Sequence, residues 1–140
     1  MTSMDEIEFS ESPSSDARSR VAGQLENFNR RAAGHEGGTE LGAFIERDEE
    51  VVAGIVGWVW GGTSYVDLLW VTELLRNEGI GSRLLEGFEN EARKRGALQT
   101  VLTTGSFQAP EFYRRHRYEV VGEVPEHPVG HTEFILRKAL

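Results

Sequence analysis

Apolar residues recur at two different spacings along the chain, and these spacings predict its helices and strands. In the N-terminal part, apolar positions from Val21 to Ala32 recur every three or four residues, which predicts a helix over residues 16–33. Gly34 follows directly and is placed to end this helix. Further upstream, Ile7 and Phe9 alternate with acidic residues, a pattern that predicts a short first strand.

The middle of the chain has the pattern of an antiparallel meander. Mostly apolar segments alternate there with short polar or glycine-rich turns. The segments predict strands at residues 41–47, 51–60 and 65–71, with turns at residues 48–50 and 61–64.

The apolar spacing then returns to that of a helix. Between residues 79 and 95, apolar side chains fall about every four positions and charged side chains occupy the other face. A strand at 100–104 follows, so the strand, helix and strand predict a parallel crossover unit. The remaining pattern predicts a short helix at 109–116 and strands at 118–124 and 132–138. The expected fold is therefore an α/β or α+β domain with a mixed sheet of about seven strands and about three helices.

Length and composition limit the classes of protein that this chain can belong to. Its 140 residues predict a single domain spanning 1–140, in which residues 1–14 are expected to be flexible. The absence of cysteine excludes disulfides, thiolate metal sites and a cysteine nucleophile. The four histidines lack the spacing of metal ligands, so no metal site is predicted.

The net charge of −8 argues against a nucleic-acid-binding protein, which normally presents a basic surface. The acidity fits either a solvated acidic surface or attraction of a cationic amine, and the sequence leaves both open. No apolar segment reaches the length of a membrane-spanning helix, and the N-terminus is polar and acidic. A cytoplasmic protein without a membrane partner is therefore expected.

The segment from Leu69 to Leu85 has the features of a phosphate-binding turn. A strand ends, a loop follows, and Gly79-Ile80-Gly81 opens an amphipathic helix. The first N–H groups of a helix lack internal partners, and glycines let an anion approach them closely. A P-loop would need Gly-Lys-Ser/Thr here, and a dinucleotide fingerprint would need a third glycine where Leu84 stands. A helix start without any ligand is the alternative interpretation.

Two blocks of the sequence resemble the GNAT superfamily of N-acetyltransferases. Residues 76–81 (RNEGIG) match its Arg/Gln-x-x-Gly-x-Gly/Ala signature, and residues 106–123 are similar to its later helix and strand. Together with the preceding hairpin, the resemblance covers most of residues 40–138. The tail motifs Gly130-His131-Thr132 and Leu136-Arg137-Lys138 are similar to those of a group of small bacterial and archaeal members.

The resemblance implies that acetyl-CoA is the cosubstrate and that a small-molecule or peptide amine is the acceptor. It places the diphosphate of CoA on the amides of the turn and the pantetheine arm along the strand, which would splay from its neighbour, often at a bulge. The implied cofactor-binding residues are Leu69, Trp70, Val71, Arg76, Asn77, Glu78, Gly79, Ile80, Gly81, Ser82, Arg83, Ser106 and Phe112.

The resemblance also implies direct transfer of the acetyl group, with Tyr113 as the acid that protonates the departing sulfur. A phenol suits this role because it stays protonated at neutral pH. A base must accept the proton of the amine. Asp67 is the first candidate, because it shares strand parity with Leu69, followed by Glu73 and then His131.

Two positions depart from the family pattern. Arg117 stands where glycine is common, and Ser106 stands where many members have asparagine. The N-terminal region also has one clear helix instead of two, so an open cleft or a homodimer partner is expected to complete the acceptor site. The alternative functions are a non-catalytic acyl-CoA-binding or regulatory module and an interaction domain without a ligand.

Overall fold

The hairpins and the crossover predicted from the apolar pattern form one mixed sheet. A computed structural model of the chain describes residues 6–140. Its strands are β1 (Thr39–Arg47), β2 (Glu50–Trp60), β3 (Thr63–Val71), β4 (Gln99–Gly105), β5 (Glu119–Pro125) and β6 (Thr132–Ala139). Its helices are α1 (Ser15–Ala33), α2 (Ile80–Lys94) and α3 (Pro110–Arg115), and a short 3-10 turn spans Glu73–Leu75.

In this described part of the chain, the six strands lie in the order β1-β2-β3-β4-β6-β5. Only β3 and β4 are parallel, and every other neighbouring pair is antiparallel. The predicted mixed α+β architecture is therefore confirmed. The predicted strand at Ile7 and Phe9 is wrong, because these residues lie in irregular chain with almost fully exposed side chains. Two alternating apolar residues without a neighbouring strand do not bury enough surface to hold an extended segment.

The described residues form two compact units, one ending at Gly37 and one spanning Gly38–Leu140. The first contains α1, whose start is capped by Ser14 and whose end is formed by Gly34 in the left-handed conformation. None of its side chains is buried. Residues 1–5 of the segment expected to be flexible lie outside the described residues, and the single-domain interpretation stays a prediction.

The core of the second unit lies between α2 and the sheet. The apolar face of α2, with Ile80, Leu85 and Phe88, is buried against β1, β2 and β3. Inward-facing residues of β2 such as Ile55 complete this layer. Since α2 is fixed along its length by this packing, its first turn is held at a defined place beside the end of β3.

Within residues 6–140, no helix combines the length and the apolar composition that a bilayer crossing needs.

Candidate active site

Strands β3 and β4 separate halfway along their length. They pair from Thr63 with Gln99 to Val66 with Leu102, and no pairing follows. The separation begins at Asp67, which has no partner on β2 either: Val66 is opposite Gly57, and Leu68 is opposite Val56. Asp67 is therefore the extra residue of a β-bulge, which bends the strand and interrupts its pairing. Beyond the bulge, residues 69–71 of β3 present an unpaired backbone edge toward β4.

A cleft of about 710 Å³ opens where the two strands separate. One side is the end of β3 with the following turn, and the floor is the start of α2. The other side is the loop after β4 with α3. The lining residues are Leu69, Trp70, Val71, Leu75, Arg76, Asn77, Gly79, Ile80, Gly81, Ser82, Phe107, Gln108, Ala109, Phe112, Tyr113 and Arg115.

The first turn of α2 forms the floor because its glycines leave the backbone accessible. Gly79 caps the helix in the left-handed conformation, with φ of 79°, and a Cβ at this position would meet no atom within 4 Å. A Cβ on Gly81 would lie 3.4 Å from the ring of Phe112, on the cleft side of the helix. The N–H groups of this turn have no intrahelical acceptor, so they are available to an anion.

The charge of the cleft is opposite to that of the protein. The chain carries a net charge of −8, yet the described cleft-lining residues include no Asp or Glu and two arginines, Arg76 and Arg115. Arg76 is held in place by a hydrogen bond of 3.1 Å from its Nε to the carbonyl oxygen of Val71 at the end of β3. The cleft is therefore electrostatically suited to an anionic ligand.

Tyr113 lies on α3, lines the cleft and is only 8% exposed. Its ring makes edge-to-face contacts with Phe112 and Tyr118. Burial raises the pKa of the Tyr113 phenol above its ordinary value, because the charged phenolate would lose solvation. The phenol is therefore a proton donor that keeps its proton throughout the neutral range.

The turn that follows α3 keeps Tyr113 in position. The amide of Tyr118 donates to the carbonyl of Tyr113, and the amide of Arg117 donates to that of Arg114. Arg117 itself adopts the left-handed conformation, with φ of 71°. These bonds form a complete Schellman motif with arginine at the position that usually holds glycine. The departure from the family pattern at Arg117 therefore leaves the turn itself intact.

Known proteins resemble this chain in sequence and in fold. The sequence profile described as the acetyltransferase (GNAT) family matches residues 2–118. The chain belongs to the GNAT acetyltransferase family.

Relatives and solved structures extend this family assignment. Over 92 residues, 65% of the chain and 68% of the relative, it is 40% identical to a blasticidin-S acetyltransferase of Streptomyces morookaense. A crystal structure of a protein from Agrobacterium tumefaciens superposes with a TM-score of 0.90 at 28% identity, covering 97% of this chain and 100% of that one. An aminoglycoside 6′-N-acetyltransferase complexed with coenzyme A shares the fold, with a TM-score of 0.64, 18% identity, and coverage of 91% and 95%.

The GNAT cleft contains most of the residues that the sequence analysis assigns to the cofactor. Ten of them line it, and three do not: Glu78, Arg83 and Ser106. Ser106 instead joins the loop after β4 to the start of β6, because its Oγ accepts a hydrogen bond from the amide of Thr132 at 3.1 Å. Its own amide donates to the carbonyl of Thr132 at 2.7 Å.

Of the three predicted catalytic residues, only Tyr113 lines the cleft. Asp67 is exposed at the bulge, and Glu73 is exposed at the start of the short 3-10 turn. Asp67 does not share strand parity with Leu69, because the extra residue of the bulge breaks the alternation of side chains between Val66 and Leu68.

Five lining residues were not predicted: Leu75, Phe107, Gln108, Ala109 and Arg115. Four of them lie on the loop after β4 and on α3, where the sequence analysis considered only Ser106, Phe112 and Tyr113. Gln108 also shapes this loop, since its side-chain oxygen accepts a hydrogen bond from the amide of Gly105 at 2.5 Å. Pro110 marks the start of α3 in the sequence, but it does not indicate that this loop lies beside the cofactor turn.

Proposed function

We propose that the chain transfers an acetyl group from acetyl-CoA directly to a primary amine of a small molecule or peptide. The observation that carries this proposal is the cleft itself. There, three features meet: the open amides of α2, the unpaired edge of β3 and the buried phenol of Tyr113.

The start of α2 fits a diphosphate. Gly79 and Gly81 leave the amides of the first turn open, and Arg76 and Arg115 supply positive charge on two sides. Hydrogen bonds from such groups to a charged ligand contribute about 1.5–3 kcal/mol each. A carboxylate in the lining would oppose this binding, and the described lining residues contain none.

The edge of β3 fits an extended chain with amide groups. Residues 69–71 pair with β2 on one side and, among residues 6–140, with no strand on the other. An amide-containing arm can add to such an edge as an extra strand, with main-chain hydrogen bonds fixing its register. This arrangement holds the arm between the diphosphate site and Tyr113, which line the same cleft.

When bound, acetyl-CoA supplies an acetyl group attached to a thiolate leaving group. The acceptor nitrogen forms a bond to the carbonyl carbon, the carbon–sulfur bond breaks, and Tyr113 gives its phenolic proton to the sulfur. Because burial raises the pKa of Tyr113, the phenol retains this proton until sulfur departs. Backbone N–H groups near Leu69 or Trp70 polarise the carbonyl oxygen.

The proton lost by the amine passes to a base through water. Asp67 is the first candidate because it lies on β3 directly before the unpaired edge, and Glu73 is the second because it begins the turn before α2. His131 is the third: its ring packs edge-on against the cleft residue Phe107, with ring centroids 5.0 Å apart.

The first acceptors to test are cationic antibiotics that carry a primary amine. The relative from Streptomyces morookaense is named for blasticidin S, and the shared fold includes an aminoglycoside acetyltransferase. A net charge of −8 also favours the approach of a cationic acceptor.

The test measures CoA release and acetylated product across a panel of blasticidin S, aminoglycosides, polyamines and peptides with free N-termini. Tyr113→Phe is expected to lower kcat on the accepted amine by about 100-fold while leaving CoA affinity unchanged. Tyr65→Phe is the matched control, because Tyr65 stacks on Trp58 away from the cleft lining.

The other outcomes separate the alternatives. Tight CoA binding without turnover of any amine would favour a non-catalytic acyl-CoA-binding module. Failure of the unmodified chain to bind CoA would contradict both functions.

A further inference from the structure

A hydrogen-bonded pair at the edge of the cleft is not explained by the function proposed above. The hydroxyl of Ser82, the third residue of α2, lies 2.9 Å from Nε2 of His116, the residue that ends α3. Ser82 lines the cleft, whereas His116 does not. The imidazole is only 14% exposed, and its ring lies 4.9 Å from that of Phe112, centroid to centroid. It is thus held in place beside the serine.

Whether Nε2 of His116 carries a proton determines whether the Ser82 hydroxyl can donate a hydrogen bond into the cleft. A serine hydroxyl has one hydrogen and two lone pairs. If Nε2 carries a proton, it donates to Oγ of Ser82, and the serine hydrogen is free to point at an anion. If Nε2 lacks a proton, the serine donates to the imidazole and presents only lone pairs. A phosphate, which can only accept hydrogen bonds at its ionised oxygens, is compatible with the first arrangement and opposed by the second.

The other neighbour of the imidazole does not fix this choice. Nδ1 of His116 lies 3.9 Å from Oε1 of Glu86, one turn further along α2, which is too long for a hydrogen bond. The Glu86 side chain is 61% exposed, so the contact is screened by solvent. A phosphate bound at Ser82 would therefore influence the position of the Nε2 proton more strongly than Glu86 does.

We propose that His116 is a positioning residue that donates from Nε2 to Ser82 and thereby directs the serine hydroxyl onto a phosphate oxygen of the bound cosubstrate. This inference rests on the function proposed above. It assigns His116 an effect on the phosphate end of the ligand only, because no part of its side chain lines the cleft.

The test compares two ligands that differ in their phosphates: CoA and pantetheine, which has the same thiol arm without the nucleotide diphosphate. Ser82→Ala and His116→Leu are each expected to weaken CoA binding about tenfold, in keeping with one lost hydrogen bond to a charged group. The affinity for pantetheine is expected to stay within about twofold. In the Ser82→Ala background, His116→Leu is expected to have little further effect, because His116 acts on the ligand only through the Ser82 hydroxyl.

A rescue variant separates positioning from packing. In His116→Gln, an amide N–H donor replaces Nε2 at a similar reach from the backbone, so CoA affinity is expected to remain near that of the unmodified chain. His127→Leu removes an exposed histidine outside the described cleft lining and serves as the control. Melting temperatures of all variants report whether each is folded.

Three results would overturn the inference: equal weakening of CoA and pantetheine in His116→Leu, full additivity in the double variant, or unchanged CoA affinity in both single variants. Failure of the proposed function would give a different result: the unmodified chain would bind no CoA. That result would overturn both the proposed function and the role of His116.

Discussion

Tyr118 donates a hydrogen bond of 2.7 Å from its phenolic oxygen to Oε2 of Glu89, a carboxylate that is only 2% exposed. The other carboxylate oxygen of Glu89 is 2.7 Å from Nζ of Lys138. Burial and the bond to Glu89 both raise the pKa of Tyr118. The hydrogen-bonded group of Glu89, Tyr118 and Lys138 connects three elements: α2, β6 and the turn after α3. The ring of Tyr118 also contacts the ring of Tyr113 edge-on. The proposed acid of the reaction therefore packs against a residue fixed by a buried charge.

Removing the charge at Glu89 is expected to destabilise the protein strongly. In Glu89→Gln, the ammonium group of Lys138 loses its carboxylate partner while it remains mostly buried, which costs about 3 kcal/mol of unfolding free energy. Tyr118→Phe removes one charge-assisted bond and is expected to cost about 2 kcal/mol. Urea denaturation measures both.

Glu91→Gln is the matched control on the same helix. Glu91 pairs with Arg95 and Lys94 at the surface, and these partners hold its pKa below its ordinary value. Solvent screens both pairs, so the loss of stability is expected to be much smaller than for Glu89→Gln. Equal losses at the two positions would contradict the structural role of the buried group.

Arg117→Gly is expected to stabilise the protein by about 1 kcal/mol, because a non-glycine residue in the left-handed conformation is strained. The end of α2 allows the reverse substitution, from glycine to arginine, at the equivalent position. There, Gly96 has φ of 85° in the same motif, with the amide of Ala97 donating to the carbonyl of Ala92. Gly96→Arg is expected to lose a similar amount in thermal or chemical unfolding. A destabilised Arg117→Gly would show that the arginine makes a contact that outweighs the strain.

Gly81→Leu is expected to weaken CoA binding by at least about tenfold, because its side chain would extend from the cleft side of α2 into the ligand site. Gly87→Leu, six residues along the same helix, is the control: a Cβ there meets no atom within 4 Å, and Gly87 is absent from the cleft lining. Calorimetric titration with CoA measures both variants. Equal CoA affinities of the Gly81→Leu and Gly87→Leu variants would show that CoA does not bind beside Gly81.

The pH dependence of turnover follows from the direction of the Tyr113 pKa. Because burial raises this pKa above 10.0, the acid form is present throughout the neutral range and is lost only as pH rises beyond that value. The amine acceptor, with a pKa of about 10, becomes more reactive as pH rises toward that value. We therefore expect kcat to increase from pH 6 to 9 without a descending limb. A descending limb near pH 8 that Tyr113→Phe removes would contradict the raised pKa of Tyr113, and a limb that persists in Tyr113→Phe would belong to another group.

Much of the fold was predictable because local pattern and tertiary burial agree. The four-residue apolar repeat from Ile80 to Ala92 predicts the helix that the structure shows, and its apolar face is the one buried on the sheet. The short alternation at Ile7 and Phe9 has the same local signal as a strand but no neighbouring strand to pair with. The periodicity of apolar residues indicates which face of a helix or strand can be buried. It does not indicate whether another element is present to cover that face.

The candidate site was predictable only where it is local in sequence. The cofactor turn lies within residues 76–82, so its glycines and arginine could be recognised together. By contrast, Arg115 and Gln108 reach the cleft through the geometry of the loop after β4 and of α3, which no local spacing encodes. The strand parity assigned to Asp67 was wrong for a related reason: one inserted residue at the bulge shifts every parity assignment beyond it.

The separation of β3 from β4 divides the sheet into two three-stranded parts, β1-β2-β3 and β4-β6-β5, joined by a short parallel pairing. This pairing consists of the four residue pairs from Thr63–Gln99 to Val66–Leu102. Within it, the buried hydroxyl oxygens of Ser64 and Thr100 are hydrogen-bonded at 2.8 Å. Because the strands diverge beyond Val66 and Leu102, a substitution at Ser64 or Thr100, whose side chains do not line the cleft, acts on the paired segment from which the cleft opens.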